Sequence, residues 1–397
     1  LSKLDNMIKI LICFSVIFSS GIGLNLYATH HQPVNESNAL DLAANSKSAI
    51  LIERDTGEVL FNKNAQEVLP PASMTKIMTL LLVMEELENG KLQLSEKVRI
   101  SEKAASMGGS QIFLEPGEEM TVNDLLKGVA VASGNDASVA LAERIAGSEE
   151  AFVEMMNQRA KQLHLKNTLF QNPTGLPAEN HYSTAEDMAL LAKELLKYDE
   201  ITKYTSIYED YLRKGQENEF WLVNTNKLVK FYEGVDGLKT GFTNEAKYCL
   251  TATAEKDGMR VIAVVMGADS TKNRNSDVSA MLDYAYSKYT TKSLFDKNQQ
   301  VTSFNWLKAD QQKVNVITND SISILHKKAE DLTGIETDVK IDQDISLPIK
   351  KGTAIGKLEV KKDGKVISET DLVIEEDMDK AGTFQLMGRI LRSFLNK

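Results

Sequence analysis

The sequence predicts an α+β fold: a largely antiparallel sheet flanked by helices, followed by a small all-β sandwich. Three observations carry this. Strand-like segments at Ser48–Glu53 and Val59–Asn62 are separated from two more, Tyr248–Glu255 and Arg260–Met266, by a long helical middle. From about Thr291 helical periodicity stops, and short runs rich in Val, Ile and Thr replace it. The length, 397 residues, is that of two to three domains rather than one.

Taken in order, the chain opens on residues 10–24, an apolar run interrupted only by small polar residues or Gly, with Lys3 and Lys9 before it and Tyr27-Ala28 leading into polar sequence. A basic segment, a short apolar core and a closing small residue describe a secretory signal over residues 1–28. Leu26 is an imperfect residue for the cleavage site, and an uncleaved N-terminal anchor is the alternative, although the run is short for a bilayer span. Leu1 reads as an alternative start codon and Met7 as a second candidate start. Residues 29–45 are a polar leader. The first folded domain is expected over 46–290. It begins with a hairpin around Asp55-Thr56-Gly57. Pro70-Pro71 then breaks the chain, and SMTKIMTLLLVMEELENG reads as a buried helix starting near Ser73, because it lacks Pro and internal Gly until Asn89-Gly90. Further helices are predicted at Val122–Ala132, Ala137–Ala146, Glu149–Leu163, Thr184–Lys197 and Asn275–Lys288. The all-β domain is expected over 291–378, with strands at Lys313–Thr318, Ser321–Leu325, Thr337–Ile341, Ala354–Val360 and Lys365–Ile374 and a hairpin turn at Asp363-Gly364. Residues 380–397 close the chain. Phe384, Met387, Ile390, Leu391, Phe394 and Leu395 fall at helical spacing, with Arg389, Arg392 and Lys397 among them and no acid from Ala381 onward. That pattern describes an amphipathic helix lying in a membrane interface; a helix docked on its own protein is the alternative.

Composition excludes several classes. The net charge is −10, from 46 basic and 56 acidic residues, so no global attraction to nucleic acid is expected. Cys13 and Cys249 are too few for a disulfide scaffold or a Cys-ligated zinc site, and Cys13 leaves with the signal. Cys249 lies in a strand-like run and is read as a buried structural thiol. The five His include no His-Glu-x-x-His helix, and no phosphate-cradling glycine loop is present. No metal and no cofactor is expected.

Three short motifs gain meaning from their order. Ser73-Met74-Thr75-Lys76 is S-x-x-K at a helix start. Three residues are nearly one turn, so the hydroxyl and the ammonium project to the same side. A serine needs a base to become a nucleophile, and a lysine kept neutral by burial and nearby positive charge can be one. The Ser73 N–H at the helix start can hold an oxyanion. Ser133-Gly134-Asn135 is S-x-N. Its hydroxyl can relay a proton beside Lys76, and its amide can orient the lysine and a substrate carbonyl. Lys239-Thr240-Gly241 is K-T-G: positive charge and a hydroxyl for a carboxylate, with a glycine that lets a substrate backbone approach an edge strand. Singly each fits a bland reading: a capping Ser, a helix-ending turn, a plain turn. Jointly, at spacings of 60 and then 106 residues, they form the serine penicillin-recognising pattern.

On these motifs the chain resembles the low-molecular-mass penicillin-binding proteins, the serine D-alanyl-D-alanine carboxypeptidases. Asn172-Pro173-Thr174-Gly175-Leu176 and His181-Tyr182-Ser183-Thr184-Ala185 extend the resemblance, and the β domain and basic tail match the family layout. Gly241-Phe242-Thr243-Asn244-Glu245-Ala246-Lys247-Tyr248-Cys249 looks most like the sporulation-associated Gram-positive branch. The resemblance implies a β-lactamase/transpeptidase-like catalytic fold and a Ser73 acyl-enzyme formed on peptidoglycan stem peptides ending in D-Ala-D-Ala. It implies Lys76 as base, Ser133 as proton relay with Asn135 beside it, and the N–H groups of Ser73 and Phe242 as the oxyanion site. Phe242 stands where some relatives carry His, but only its backbone is needed. Lys239, Thr240, Gly241, Thr243 and Arg274 are implied as substrate-binding residues. β-Lactams are implied as inhibitors, and the location as the outer face of the cytoplasmic membrane, held by the C-terminal helix. The rivals are a β-lactamase, a D-alanyl endopeptidase and a non-catalytic penicillin-binding sensor. A class A β-lactamase needs a glutamate for deacylation, and no Glu-x-x-x-Asn occurs between Asp136 and Leu238.

Overall fold

The computed structural model describes residues 40–342 and 344–395, with side chains in the last helix described through Leu391. The expected signal, most of the leader, and the side chains of Arg392, Phe394, Leu395 and Lys397 lie outside the described residues. In chain order the first part contains β1 (Ser48–Glu53), β2 (Val59–Lys63), a 3-10 turn (Ala72–Thr75), α1 (Lys76–Glu88), β3 (Lys97–Arg99), α2 (Glu102–Ala105), β4 (Glu119–Thr121), α3 (Val122–Ala132), α4 (Asn135–Ala146), α5 (Glu149–Gln162), α6 (Ala185–Leu195), α7 (Glu200–Thr205), β5 (Glu209–Leu212), β6 (Phe220–Val223), α8 (Leu228–Phe231), β7 (Val235–Thr243), β8 (Lys247–Lys256), β9 (Met259–Ala268) and α9 (Thr271–Lys288).

The central sheet is antiparallel, in the order β2-β1-β9-β8-β7. Side chains alternate between its two faces. Ile50, Ile52, Ile262, Val264 and Met266 join a core with α1 and the helices around it. Ala49, Leu51, Leu250, Ala252, Val261, Ala263 and Val265 join a second core under α9. Both faces are therefore covered, which is why β1, β8 and β9 read as nearly continuous apolar runs. Each fully buried Leu, Ile or Val contributes about 1.5–3 kcal/mol to holding the layers together. The end of the leader is docked here too, with Asn45 and Ser46 bonded to the Asp277 carboxylate of α9.

The helical middle ends and restarts where local chemistry requires. Thr121, Ser148, Thr184 and Ser270 each cap a helix by accepting a backbone N–H three residues on. That last cap starts α9 at Thr271, ahead of the Asn275 start that the apolar pattern suggests. The hairpin β5–β6 has no strand signal in the sequence, and β7 is the edge strand expected at Lys239-Thr240-Gly241, longer than the motif itself. The apolar side of β7 faces its own protein, and Gly237 and Gly241 interrupt its pattern.

The second part contains β10 (Tyr289–Phe295), β11 (Gln300–Asn305), β12 (Lys313–Thr318), β13 (Ile322–Lys327), β14 (Ile335–Ile341), β15 (Ala354–Lys362), β16 (Lys365–Ile374) and α10 (Thr383–Leu395). A five-stranded antiparallel sheet, β11-β12-β16-β15-β14, is accompanied by the pair β10-β13 around one apolar core. β10 starts at Tyr289, the residue that closes α9, so strand follows helix without a linker and the expected boundary at 291 falls inside the strand. Contacts across this junction are polar and apolar: Arg54 of the first part meets Asp320 at 3.0 Å and Ser321 Oγ at 2.9 Å, and Leu325 of β13 packs against the core under α9.

In α10, Phe384, Met387, Ile390 and Leu391 are exposed. Arg389 is not free: its guanidinium donates to the carbonyls of Leu307, Ala309 and Asp310. The sequence reading grouped Arg389 with the membrane-facing charges, and this is corrected. A fork of five donors satisfies a cluster of loop carbonyls that a lysine could not. Among the described residues no helix is long and apolar enough to cross a membrane.

Candidate active site

The three motifs come from five elements, the 3-10 turn, α1, α3, α4 and β7, and meet at the edge of the sheet. Pro70-Pro71 prevents any earlier helix start. Ala72 then adopts φ +47°, and Ser73 sits in the 3-10 turn one residue later, half-buried. A left-handed alanine costs about 1 kcal/mol, and its neighbours hold it there. A Cβ on Gly175 would lie 1.9 Å from Ala72 O, and one on Gly241 would lie 2.6 Å from Pro71 O. Two glycines thus let two other segments close directly on the turn that carries the serine. For Gly241 this changes the sequence reading: the residue is small because its own chain packs against it, whatever a substrate also requires. The Ser73 N–H has no hydrogen-bond partner among the described residues.

Lys76 has no exposed surface, and its Nζ meets three oxygens: Ser73 Oγ at 3.2 Å, Asn135 Oδ1 at 2.6 Å and the Thr174 carbonyl at 2.6 Å. Burial, followed by the charge of Lys239, holds its pKa well below the ordinary 10.5, with Asp136 opposing. A neutral amine has two N–H donors and one lone pair. The two short contacts, to a carbonyl and an amide oxygen that can only accept, take the donors, so the lone pair is left for the Ser73 hydroxyl proton.

Ser133 ends α3 in the left-handed region, φ +62°, with its N–H on Gly128 O. It is buried, but its hydroxyl makes no hydrogen bond among the described residues, and Lys76 spends its donors elsewhere. The direct relay contact expected from sequence is therefore not formed. Asn135 begins α4, and its Nδ2 donates to Gly108 O at 2.7 Å. Asp136, which the sequence reading passed over, accepts the N–H groups of Ile112 and Leu114 and fastens the 108–114 loop beside the motif.

Lys239 is also buried. Its Nζ donates to Thr240 O at 3.0 Å, and burial together with Arg274 lowers its pKa to about 7. Arg274, in the first turn of α9, is buried as well. Its guanidinium is held by Asn275 Oδ1, and burial brings it down to about 10. The two form one electropositive region behind the edge strand. Thr240 Oγ1 donates to Thr225 Oγ1 at 2.7 Å. Thr243 is different. Four residues of extended strand, roughly 13 Å, separate it from Lys239, and its hydroxyl accepts the Ala246 N–H of the β7–β8 turn. A hydroxyl that accepts there still has its own proton to donate. Phe242 is exposed and packs against Tyr248 at 4.5 Å. Cys249 is fully buried and burial pushes its thiol up to about 11, so it is inert where it stands.

Thr174 and His181 enter the sequence reading only within motifs that carry the resemblance, with no role assigned. The Thr174 contact is a backbone carbonyl, which no side-chain motif reports. Asn172 Oδ1 shapes the turn around it, accepting from the backbone N–H groups of Thr174 and Gly175. His181 ties this loop to the serine turn. Gln171 N–H donates to its Nδ1 at 3.2 Å, leaving the Nε2 proton for Thr75 Oγ1 at 2.8 Å.

Comparison with known proteins gives the same assignment. Residues 32–270 match the D-alanyl-D-alanine carboxypeptidase family, and residues 289–380 match the C-terminal domain of penicillin-binding protein 5. The chain is 59% identical to the D-alanyl-D-alanine carboxypeptidase DacF of Bacillus subtilis, covering 88% of this chain and 90% of that one. Penicillin-binding protein 5 of Haemophilus influenzae is similar in structure, with a TM-score of 0.65 and 32% identity over 84% of this chain and 98% of that one. Penicillin-binding protein D2 of Listeria monocytogenes in its ampicillin-bound form gives 0.56 and 32%, over 61% and 98%. The chain therefore belongs to the serine D-alanyl-D-alanine carboxypeptidases of the penicillin-binding protein family, with a catalytic domain followed by the family's C-terminal β domain.

Proposed function

We propose that Ser73 is the nucleophile with which this carboxypeptidase removes the terminal D-alanine from peptidoglycan stem peptides. One observation carries the reading: the buried Lys76 amine, its charge disfavoured, meets two pure acceptors and the Ser73 hydroxyl. In the proposed reaction Lys76 Nζ takes the Ser73 proton as Oγ bonds to the carbonyl carbon of the penultimate D-alanine. The N–H groups of Ser73 and Phe242 hold the oxyanion. The C–N bond breaks, and the leaving amine gains a proton that originates on Lys76 and passes through Ser133. Since the Ser133 hydroxyl makes no hydrogen bond among the described residues, it can turn toward a bound substrate. Asn135 keeps Lys76 in place. Lys239 and Thr240, with Arg274 behind them, receive the terminal carboxylate. Water then hydrolyses the acyl-enzyme, and a β-lactam acylates the same serine.

The test is D-alanine release from a synthetic peptide ending in D-Ala-D-Ala. The purified protein releases it and takes fluorescent penicillin; Ser73→Ala does neither. Penicillin labelling without D-alanine release would mean a sensor, and rapid turnover of the penicillin itself a β-lactamase.

The finer placement is also a proposal. Export by the N-terminal signal and attachment to the outer face of the cytoplasmic membrane through α10 are supported by the exposed Phe384, Met387, Ile390 and Leu391. The sporulation-associated branch is supported by 59% identity to the Bacillus subtilis relative, against 32% to the Haemophilus influenzae one.

A further inference from the structure

Outside α10, the exposed aromatic side chains among the described residues are Phe113, Tyr211, Trp221, Phe231 and Phe242. All of them border the cleft of the three motifs. Phe113 is on the loop that Asp136 fastens, and Phe242 follows the third motif on β7. The other three belong to one segment, the β5–β6 hairpin and α8. A single exposed ring is ordinary on a protein surface, whereas rings gathered beside an active site mark a contact.

The segment is built into the cleft. Arg213, just after β5, donates to the carbonyls of Ile112 and Phe113. The Thr225 N–H donates to Val131 O, two residues before Ser133, and Thr225 Oγ1 accepts from Thr240 Oγ1. The hairpin and α8 therefore stand beside the Lys239-Thr240 end of the cleft.

Their surface has a definite chemistry. Tyr211 and Trp221 are opposite each other in register, and the side chains of such a pair share a face about 5 Å apart. Leu212 and Leu222 point the other way, into the core. Trp221 is 54% exposed and Phe231 72%. Lys227 and Lys230 hold their ammonium groups over the Tyr208 ring, 5.2 and 4.4 Å from its centre. Phe231 meets the same ring edge to face, with centroids 6.4 Å apart. Neither lysine has an ion pair with a described residue. Glu209, two residues before Tyr211, is exposed on the hairpin face that carries Tyr211 and Trp221. Flat apolar rings beside ammonium donors and a carboxylate acceptor fit a sugar chain, whose rings have an apolar C–H face and a hydroxyl-bearing edge. The two free ammonium groups also suit the carboxylates of the stem peptides that such a chain carries. An anionic membrane surface is a poorer fit, because it repels Glu209.

We propose that the β5–β6 hairpin and α8 form a glycan-binding platform, which takes the sugar chain of a peptidoglycan strand adjacent to the one that carries the reacting stem peptide. The proposal rests on the carboxypeptidase reading. There the terminal carboxylate sits at Lys239 and the scissile carbonyl at the Phe242 N–H, so the stem peptide leads away from the hairpin and its own sugar lies at the far end. A second strand held on the platform raises the concentration of stem peptides at Ser73 without touching the reacting bond.

The test compares D-alanine release from a soluble peptide ending in D-Ala-D-Ala with release from intact purified peptidoglycan, at equal concentrations of the D-Ala-D-Ala end. Peptide-free glycan strands, made from peptidoglycan by amidase digestion, should slow release from peptidoglycan and leave release from the peptide unchanged. The double variant Trp221→Ala, Phe231→Ala should lose about tenfold in rate on peptidoglycan and less than about twofold on the peptide. Binding is read without turnover from tryptophan emission. The chain has two tryptophans, Trp221 and Trp306. In Trp306→Phe the emission reports Trp221 alone, and it should shift when peptide-free glycan is added and stay put with anionic phospholipid vesicles. Equal losses on both substrates, or no loss on peptidoglycan, overturn the platform and leave the carboxypeptidase reading intact. An emission shift with vesicles and none with glycan overturns it in favour of a membrane contact. Release from neither substrate by the unaltered protein refutes the carboxypeptidase reading, and the platform then falls too if glycan leaves the emission unchanged.

Discussion

Asn135→Asp should retune the general base without removing it. Asn135 Oδ1 accepts from Lys76 Nζ at 2.6 Å in a site with no exposed lysine surface. An aspartate there places a negative charge against the amine and favours the ammonium. Two unit charges 2.6 Å apart attract by about 1.6 kcal/mol in bulk water and about 6 kcal/mol at an effective dielectric of about 20. At about 1.4 kcal/mol per pK unit, Lys76 rises by roughly one to five units. The direction of the kinetic effect follows. Burial and the Lys239 charge now hold Lys76 well below its ordinary range. Acylation needs the neutral amine, so its rate climbs with pH through the lysine pKa. In the variant that climb moves to higher pH. The assay is the second-order rate constant for acylation by a fluorescent penicillin, measured across pH. On the acid limb the variant should be at least about tenfold slower at the same pH, because that limb is displaced upward by at least about one pH unit. The variant also loses the Nδ2 bond to Gly108 O, a loss of about 1 kcal/mol that thermal melting measures. A folded variant with an unshifted acid limb would falsify Lys76 as the base.

Three further outcomes are expected. Gly241→Ala puts a Cβ 2.6 Å from Pro71 O and 3.2 Å from Ala72 Cβ; it should cost about 1–3 kcal/mol in unfolding experiments and slow penicillin labelling, because the Ser73 turn must give way. Lys239, lowered to about 7, loses its charge as pH rises through that value. KM for a peptide with a free terminal carboxylate should therefore rise above about pH 7, whereas a peptide ending in an amide should show no such rise. For stability the sign is opposite: between about 7 and the ordinary 10.5 the unfolded chain holds this proton and the folded one does not, so the Lys239 contribution to stability rises with pH across that window. Deleting Thr383 to Lys397 should move the protein from the membrane fraction to the soluble fraction, and Arg389→Ala, which frees the helix from the 307–310 carbonyls, should leave it membrane-bound; a truncated protein that stays with the membrane makes the N-terminal segment the anchor.

Elements that bury one face or are marked by breakers were readable in the sequence. Pro70-Pro71 and Asn89-Gly90 bound α1, and the apolar runs of β1, β8 and β9 reflect burial on both faces. Strands with mixed faces were harder. β10 and β11 have partly exposed patterns, and β7 is interrupted by two glycines whose reason is steric and distant. Ser73, Lys76 and Lys239 were legible as candidates because the proposed chemistry restricts those positions to particular side chains.

What the sequence determined by itself was which groups exist and in what order: Ser73, Lys76, Ser133, Asn135 and Lys239. Tertiary structure alone decided how they are set. The Thr174 carbonyl contributes no side chain, yet it takes one of the two N–H groups of Lys76. Gly175 and Gly241 admit neighbouring backbone to the strained turn of Ala72, about 100 residues from one and about 170 from the other in the chain. Burial lowers Lys76 and Lys239 only once the sheet edge, α1 and α9 close around them. Desolvation and close approach depend on all the surrounding chain, and a local motif contains neither.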